Sequence, residues 1–196
     1  MSINALIEKH NPDRYKLTWN NDGTQMNLCA DTGSWNWLYV SSTASATLFT
    51  IHKFYVLKSK IDQLFRRTWP SASIIGSQFK TGDAYYEAVS DAQARAIYNN
   101  SGLSAYVWTA EVFDCDDFSY VYKAQASRDA YASKAEYGYA VGVIFGRSPS
   151  RVHAVNVFID TNATVRILEP QTGSIVAGKD WKDQEGEAYE PYFVLM

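Results

Sequence analysis

Cysteine is scarce in this chain, and its scarcity excludes one class of protein at once. Cys29 and Cys115 are the two cysteines among 196 residues. Two cysteines do not form the disulfide framework of a small secreted domain, so each is interpreted by itself. Histidine is nearly as scarce, with His10, His52 and His153.

Long apolar runs and clustered positive charge are also missing. A membrane-spanning helix needs about 20 consecutive apolar residues, and the sequence contains no such run. The first ten residues have neither the charge nor the apolar stretch of a secretory signal. The net charge of −3, with no basic patch, argues against a nucleic-acid partner. We therefore expect a soluble protein, and the sequence leaves its compartment open.

What is present fits a folded domain rich in aromatic residues. Hydrophobic residues make up 46% of the chain and aromatic residues 15%, which is ample for a core and favours strands. Turn residues such as Asp31 and Gly33 break the first third into short strands. We predict a small β-rich N-terminal part over residues 1–50 and a main domain over residues 51–196.

The main domain combines helices with strands. An amphipathic pattern predicts a helix over 58–69 that ends at Pro70, and a capping box at Ser90 and Gln93 begins another. A third helix is expected from Cys115 to about Lys134. Strands are predicted over 46–57, 139–145, 152–160, 164–168 and 192–195. This order favours an α+β domain in which a helix packs on an antiparallel sheet.

Cys115 stands where an extended segment gives way to this third helix. The free N–H groups and the macrodipole of a helix N-terminus favour a thiolate, which suits a nucleophile. The neighbouring acids Asp114, Asp116 and Asp117 oppose this by raising a thiol's pKa, unless a cation offsets them. The competing interpretation is that the acids cap the helix and Cys115 is a buried apolar residue.

His153 lies on a predicted hairpin with Glu169. A two-residue turn at Thr161 and Asn162 would set His153 opposite residue 170, or opposite 169 after a shift of one residue. A carboxylate beside an imidazole fixes its tautomer and stabilises its protonated form, so the pair could act as a base and its orienting group. Alternatively, His153 is a strand-end histidine and Glu169 a surface charge.

Three short motifs, beginning at Cys115, at His153 and at Leu168, resemble the catalytic domain of the Marasmius oreades agglutinin family. The resemblance covers about residue 76 to the C-terminus and implies a papain-like cysteine protease fold. It implies Cys115 as nucleophile, His153 as base and Glu169 as the third member, with Trp108 beside the oxyanion region. It also implies Ca²⁺ ligands among Asp116, Asp117 and Gln171, and a possible homodimer.

The expected function is therefore a calcium-dependent cysteine endopeptidase acting on protein or peptide substrates. The family's sugar-binding β-trefoil has no counterpart in the short N-terminal part, so sugar binding is not carried over. Three alternatives stay open: a peptidoglycan amidase of the NlpC/P60 or CHAP type, a non-catalytic binding module on the same fold, and transglutaminase chemistry.

Overall fold

The computed structural model describes residues 5–11, 14–21, 24–31, 37–43, 47, 55–72, 79–183 and 185–196. The chain divides into two compact units, Met1–Lys53 and Phe54–Met196. Among the described residues, no helix is both long and apolar enough to cross a membrane.

The first unit is an antiparallel sheet of four strands in sequential order: β1 Ala5–Asn11, β2 Arg14–Asn21, β3 Thr24–Asp31 and β4 Trp37–Ser41. Thr18 and Cys29 are buried in it. The side chains of Trp19, Trp35 and Trp37 lie outside the described residues.

The described residues of the second unit form three α-helices, two short 3-10 helices and eight strands. The α-helices are α1 Lys58–Thr68, α2 Asp91–Ser101 and α3 Cys115–Ala132. The strands are β5 Tyr55–Leu57, β6 Phe79–Lys80, β7 Tyr85–Glu87, β8 Val141–Arg147, β9 Val152–Ile159, β10 Val165–Glu169, β11 Ser174–Ala177 and β12 Glu190–Leu195. Leu103–Ala105 and Gly178–Asp180 form the 3-10 helices.

All three predicted helices are confirmed, and their ends have local causes. Ser90 and Gln93 form the capping box of α2, which ends at Gly102 in the left-handed conformation (φ 70°). A second capping box, between Asp114 and Asp117, begins α3 at Cys115. A long strand is predicted over 46–57. The structure describes residue 47 and strand β5 of this range, whereas residues 46 and 48–54 lie outside the described part.

Six strands form the main sheet, in the order β11-β10-β9-β8-β12-β6. Strand β9 is buried on both faces from Ala154 onward, so it reads as an unbroken apolar run instead of an alternating one. Val155, Val157 and Ile159 join the core beneath α1, while Phe158 joins the core beneath α2 and α3. The sheet therefore separates two apolar layers.

Asn156 fastens α3 to the sheet. Its side chain is fully buried, and its Nδ2 donates hydrogen bonds to the carbonyl oxygens of Ser119 (3.0 Å) and Gly142 (3.1 Å). Ser119 belongs to the first turns of α3 and Gly142 to β8, so one amide ties the helix start to the strands. This contact fixes the position of Cys115 relative to β9.

The hairpin between β9 and β10 corrects the predicted register. Ile159 faces Val165 and Asn156 faces Leu168. Continued along the strands, this register sets His153 opposite residue 171, whereas the sequence predicted residue 170 or 169. The turn is longer than two residues because Asp160 accepts hydrogen bonds from the N–H groups of Asn162 and Thr164 through Oδ1. Ala163 adopts a positive φ of 56° to close it.

The architecture is a mixed fold dominated by its large sheet. The three α-helices have 11, 11 and 18 residues, whereas six strands share one sheet. This sheet-dominated mixed fold replaces the α+β papain-like fold expected from the sequence.

Candidate ligand-binding cleft

One cleft of the second unit lies where α3 begins, where β9 begins and where β10 ends. Its volume is about 830 Å³, within the range of about 300–1,000 Å³ typical of ligand pockets. Trp108, Cys115, His153, Glu169 and Gln171 line it together, so the structure assembles five of the seven predicted site residues. The other two, Asp116 and Asp117, do not line it.

His153 and Glu169 form the charged pair of the cleft. The distance from His153 Nε2 to Glu169 Oε2 is 2.7 Å, and their side chains are 18% and 25% exposed. Burial lowers the pKa of His153, but contacts with the side chains of Cys115 and Glu169 outweigh it and raise the pKa to about 9. At neutral pH the imidazole is therefore protonated, and Nε2–H donates to the carboxylate.

Glu169 is held in place by its own strand end. Its second oxygen, Oε1, accepts a hydrogen bond from the Gln171 N–H at 3.1 Å. The chain then turns back through Gly173 (φ 73°), whose N–H donates to the Glu169 carbonyl oxygen at 2.7 Å. A side chain at position 173 would meet the ring of Tyr98 at 2.7 Å, so this turn requires glycine.

A pair of stacked aromatic rings forms one wall. The centroids of Trp181 and Tyr189 lie 4.5 Å apart at an interplanar angle of 21°, and the Tyr189 ring lies 5.9 Å from that of His153. Burial raises the pKa of Tyr189 to about 12, so its hydroxyl stays protonated. The Trp181 ring occupies the space above Gly146, where a Cβ atom would approach it to 2.5 Å.

Trp108 supplies a third aromatic ring, and it is half exposed. It precedes the short hairpin in which Thr109 bridges to Phe113, just before α3. Glu111 closes that hairpin with a positive φ of 60°.

The rim carries charged and amide groups. Arg151 Nη2 donates to Glu185 Oε1 at 2.7 Å, and both residues are exposed. Asp183 Oδ1 accepts the N–H of Glu187 at 2.7 Å, while Asp183 Oδ2 is buried without a hydrogen-bond partner among the described residues. Although burial acts in the opposite direction, contacts with Ser148, Glu187 and Glu185 lower the pKa of Asp183, so it is a carboxylate at neutral pH.

The residues expected to bind Ca²⁺ fit a cation in part. One group of possible metal ligands is found among the described residues. It consists of Asp114, Cys115 and Asp116, whose ligand atoms lie within 4.8 Å of one another. A hydrogen bond to the Asp114 carboxyl group raises the pKa of Asp116, because two adjacent carboxylates repel each other. Asp117 is occupied otherwise, since its Oδ2 accepts the Asp114 N–H. Asp114 is a cap as well, since its Oδ1 accepts the Asp116 N–H at 3.4 Å.

Sequence reasoning missed the second half of the cleft. Arg151, Trp181, Asp183 and Tyr189 line it, although they lie in segments without a recognisable motif. Trp181 and Tyr189 are aromatic residues in an otherwise polar stretch, which is a signal for the stacked pair, but neither spacing nor residue type connects this stretch to His153.

Comparisons with known proteins agree on one relationship. Residues 86–175 match the family described as Agglutinin C-terminal. The chain is similar to the crystal structure of Polyporus squamosus lectin bound to the human-type influenza-binding epitope Neu5Acα2-6Galβ1-4GlcNAc. That match has a TM-score of 0.62 and 23% identity, and it covers 98% of this chain and 67% of the lectin chain. A second match, to PSL1a in complex with E64, has a TM-score of 0.57 and 21% identity over 98% of this chain and 85% of the other. No curated protein matches the chain.

These similarities correct the expected fold and activity. The fold is that of a fungal lectin, with a large multi-stranded sheet, and the prediction of a papain-like protease fold is wrong. The predictions of an enzyme and of a thiol endopeptidase are wrong as well, because the matching family is described as an agglutinin and the first structure as a lectin. These findings do not support a protein or peptide substrate. The predicted resemblance to agglutinins is supported in part, by the match over residues 86–175, and of the alternatives the non-catalytic binding module fits these findings better.

Proposed function

We propose that the chain is a non-catalytic binding module of the agglutinin type and that its cleft binds a carbohydrate. The observation that carries the proposal is the combination of aromatic rings and fixed polar groups in one cleft. Trp108, Trp181 and Tyr189 stand beside Arg151, Glu169 and Gln171 around a volume of about 830 Å³.

Sugars match this combination because each ring has an apolar C–H face and a rim of hydroxyl groups. The half-exposed Trp108 ring is an amphipathic surface for such a face, while Trp181 and Tyr189, each 5% exposed, are packed into the wall of the cleft. The charged and amide groups of the rim can exchange hydrogen bonds with hydroxyl groups, and a few well-placed polar groups set the orientation of a ligand. A protein that binds in this way needs no nucleophile.

His153 and Glu169 then serve as fixed binding groups. The protonated imidazole has two N–H donors, and Glu169 Oε2 accepts one of them. The other side of the ring contacts the Cys115 side chain, which also contributes to the cleft surface. The ion pair holds the ring in one orientation before a ligand arrives, which reduces the entropy lost on binding.

Polyporus squamosus lectin suggests the first ligand to test, since its crystal structure contains Neu5Acα2-6Galβ1-4GlcNAc. Calorimetric titration with this trisaccharide, followed by a glycan panel, should give saturable binding to the full chain. Trp108→Ala should weaken binding at least about tenfold, because the half-exposed Trp108 ring is the one that a sugar face can cover. Tyr131→Ala, which removes an exposed ring outside the cleft, is the matched control.

Two results would contradict the proposal. One is unchanged glycan affinity in both Trp181→Ala and Trp108→Ala. The other is hydrolysis of casein that disappears in Cys115→Ala, since a binding module has no such activity.

We also propose that the α3 N-terminus binds Ca²⁺, with Asp114 and Asp116 as the oxygen ligands nearest each other. Hard carboxylate oxygens suit Ca²⁺, and the ion would offset the repulsion between the two groups. Millimolar Ca²⁺ should raise the unfolding temperature of the wild type and leave that of Asp116→Asn unchanged. An equal rise in Asp62→Asn and Asp116→Asn would place any bound ion elsewhere.

A further inference from the structure

A second cavity lies on the same unit, away from the cleft, and has a volume of about 270 Å³. Five residues define what we call the lysine pocket: Asp83, Lys123, Tyr131, Glu136 and Tyr137. Lys123 and Tyr131 stand two turns apart on α3, so they share one face of the helix. Buried Tyr86, Tyr139 and Met196 also line the cavity, so its walls include core residues.

Lys123 has an uncompensated positive charge there. Among the described residues, its ammonium group has neither a hydrogen bond nor an ion pair within 4.0 Å. Burial lowers the pKa of Lys123, and the charge of Asp83 opposes this from a longer distance. A partly desolvated ammonium without a partner is costly, so an anionic group in the pocket would be stabilising.

Asp83 and Glu136 give the same pocket two negative groups. Both residues are exposed, and the Glu136 carboxylate also contacts the Tyr137 hydroxyl. Asp83 is anchored through its backbone, whose N–H donates to the Tyr86 hydroxyl at 3.0 Å. Glu136 is anchored likewise, since its N–H donates to Glu87 Oε1 at 2.8 Å.

The remaining wall is aromatic. Tyr137 is stacked on Tyr85 with ring centroids 5.2 Å apart, and Tyr55 packs against both at 5.7 and 5.8 Å. Tyr131 is 89% exposed, so its ring has little contact with the rest of the protein. A side chain placed between Tyr131 and Tyr137 would cover apolar surface that is otherwise in water.

We propose that the lysine pocket binds a free α-amino acid with an apolar side chain. Its carboxylate pairs with Lys123, its ammonium group with Asp83 and Glu136, and its side chain lies against Tyr131 and Tyr137. A zwitterion is the ligand class that satisfies both signs of charge in one small cavity. The volume of about 270 Å³ lies just below the range of about 300–1,000 Å³ typical of drug-sized ligands, so the pocket fits a small molecule. The pocket is independent of carbohydrate binding in the cleft.

Three related probes separate the two charge contacts: L-phenylalanine, 3-phenylpropionate, which lacks the ammonium group, and phenethylamine, which lacks the carboxylate. Binding to the full chain is followed by NMR chemical shifts and by calorimetry. L-phenylalanine should bind with saturable shifts in the pocket, and each truncated probe should bind about tenfold more weakly because one charged contact is lost.

Matched variants assign the contacts to residues. Lys123→Met keeps the apolar stem and should weaken L-phenylalanine and 3-phenylpropionate about tenfold without affecting phenethylamine. Glu136→Gln, at an exposed position, should weaken L-phenylalanine and phenethylamine about tenfold without affecting 3-phenylpropionate. Lys60→Met removes a lysine that does not line the pocket and should change nothing.

Two results would overturn the proposal. One is the absence of saturable L-phenylalanine binding at millimolar concentration to a wild-type protein with an intact fold. The other is equal affinity for L-phenylalanine in the wild type, Lys123→Met and Glu136→Gln, which would place the ligand elsewhere.

Discussion

His153 and Glu169 meet although the strands that carry them are not paired at that level. The last described pair of β9 and β10 joins Asn156 to Leu168, and the same register continued by three residues would set Gln171 opposite His153. Glu169 is thus a diagonal neighbour of His153, and its side chain crosses to Nε2 at 2.7 Å. The contact depends on the turn after Glu169, which moves Gln171 away from the strand and lets its N–H bind the carboxylate.

This pair predicts a pH dependence of stability. The pKa of His153 in the folded protein is about 9, against 6.5 for the free side chain. The folded state therefore retains its proton longer, and the stabilisation, at most about 3 kcal/mol, is complete below pH 6.5 and is lost as the pH rises through 9. Urea unfolding between pH 5.5 and 10 should reveal a fall in the wild type that is smaller in His153→Gln.

The difference between the unfolding free energies of the wild type and of His153→Gln isolates His153 from tyrosines and lysines that titrate in the same range. Glu169→Gln keeps the shape of the carboxylate and removes its charge, so it should also reduce the fall. Parallel curves for the wild type and His153→Gln would contradict the assigned pKa.

Asn156→Ala should destabilise the second unit strongly. The substitution leaves the carbonyl oxygens of Ser119 and Gly142 without their buried donor, at a cost of about 1–3 kcal/mol each. Chemical unfolding measures the loss, and hydrogen exchange should localise it to α3 and β8. Asn162→Ala, in the exposed turn after β9, is the control and should cost far less.

Gly146→Val should damage the cleft more than the fold. A Cβ atom at position 146 approaches the Trp181 ring to 2.5 Å, so the indole must shift and the Trp181–Tyr189 stack must open. Trp fluorescence and glycan titration detect the change. Gly82→Val is the control, since a Cβ atom at position 82 meets nothing within 4 Å. Equal glycan affinity in wild type and Gly146→Val would refute the role of the stack.

Ser90→Ala should cost about 1 kcal/mol of stability, which is typical of a lost N-cap. The Ser90 hydroxyl accepts the Gln93 N–H at 3.2 Å, and the reciprocal bond to the Ser90 N–H measures 3.0 Å. Thermal unfolding gives the loss, and Ser90→Asp, which can still accept the hydrogen bond, should restore it. Failure of Ser90→Asp to recover stability would argue against capping as the cause.

Local chemistry made the helices and their ends predictable. The cap at Ser90, the acids around Cys115 and the glycine at 102 act within a few residues of the chain, so their spacing in the sequence is enough. The pairing of His153 with Glu169 was also within reach, because a hairpin brings its two strands together. Its register was not, since the hydrogen bonds of Asp160 that lengthen the turn were not recognised.

The sequence by itself determined the helix boundaries, the central strands and the nearness of Cys115, His153 and Glu169 as candidates. Tertiary structure decided that Arg151, Trp181, Asp183 and Tyr189 complete the cleft, and that Lys123 and Asp83 line a second pocket. A ring contact across 36 residues, as between His153 and Tyr189, and an electrostatic influence across 40, as of Asp83 on Lys123, leave no periodic pattern in the chain. They arise when the sheet closes and distant loops are held at its edge, and only then does a set of separate side chains become a site.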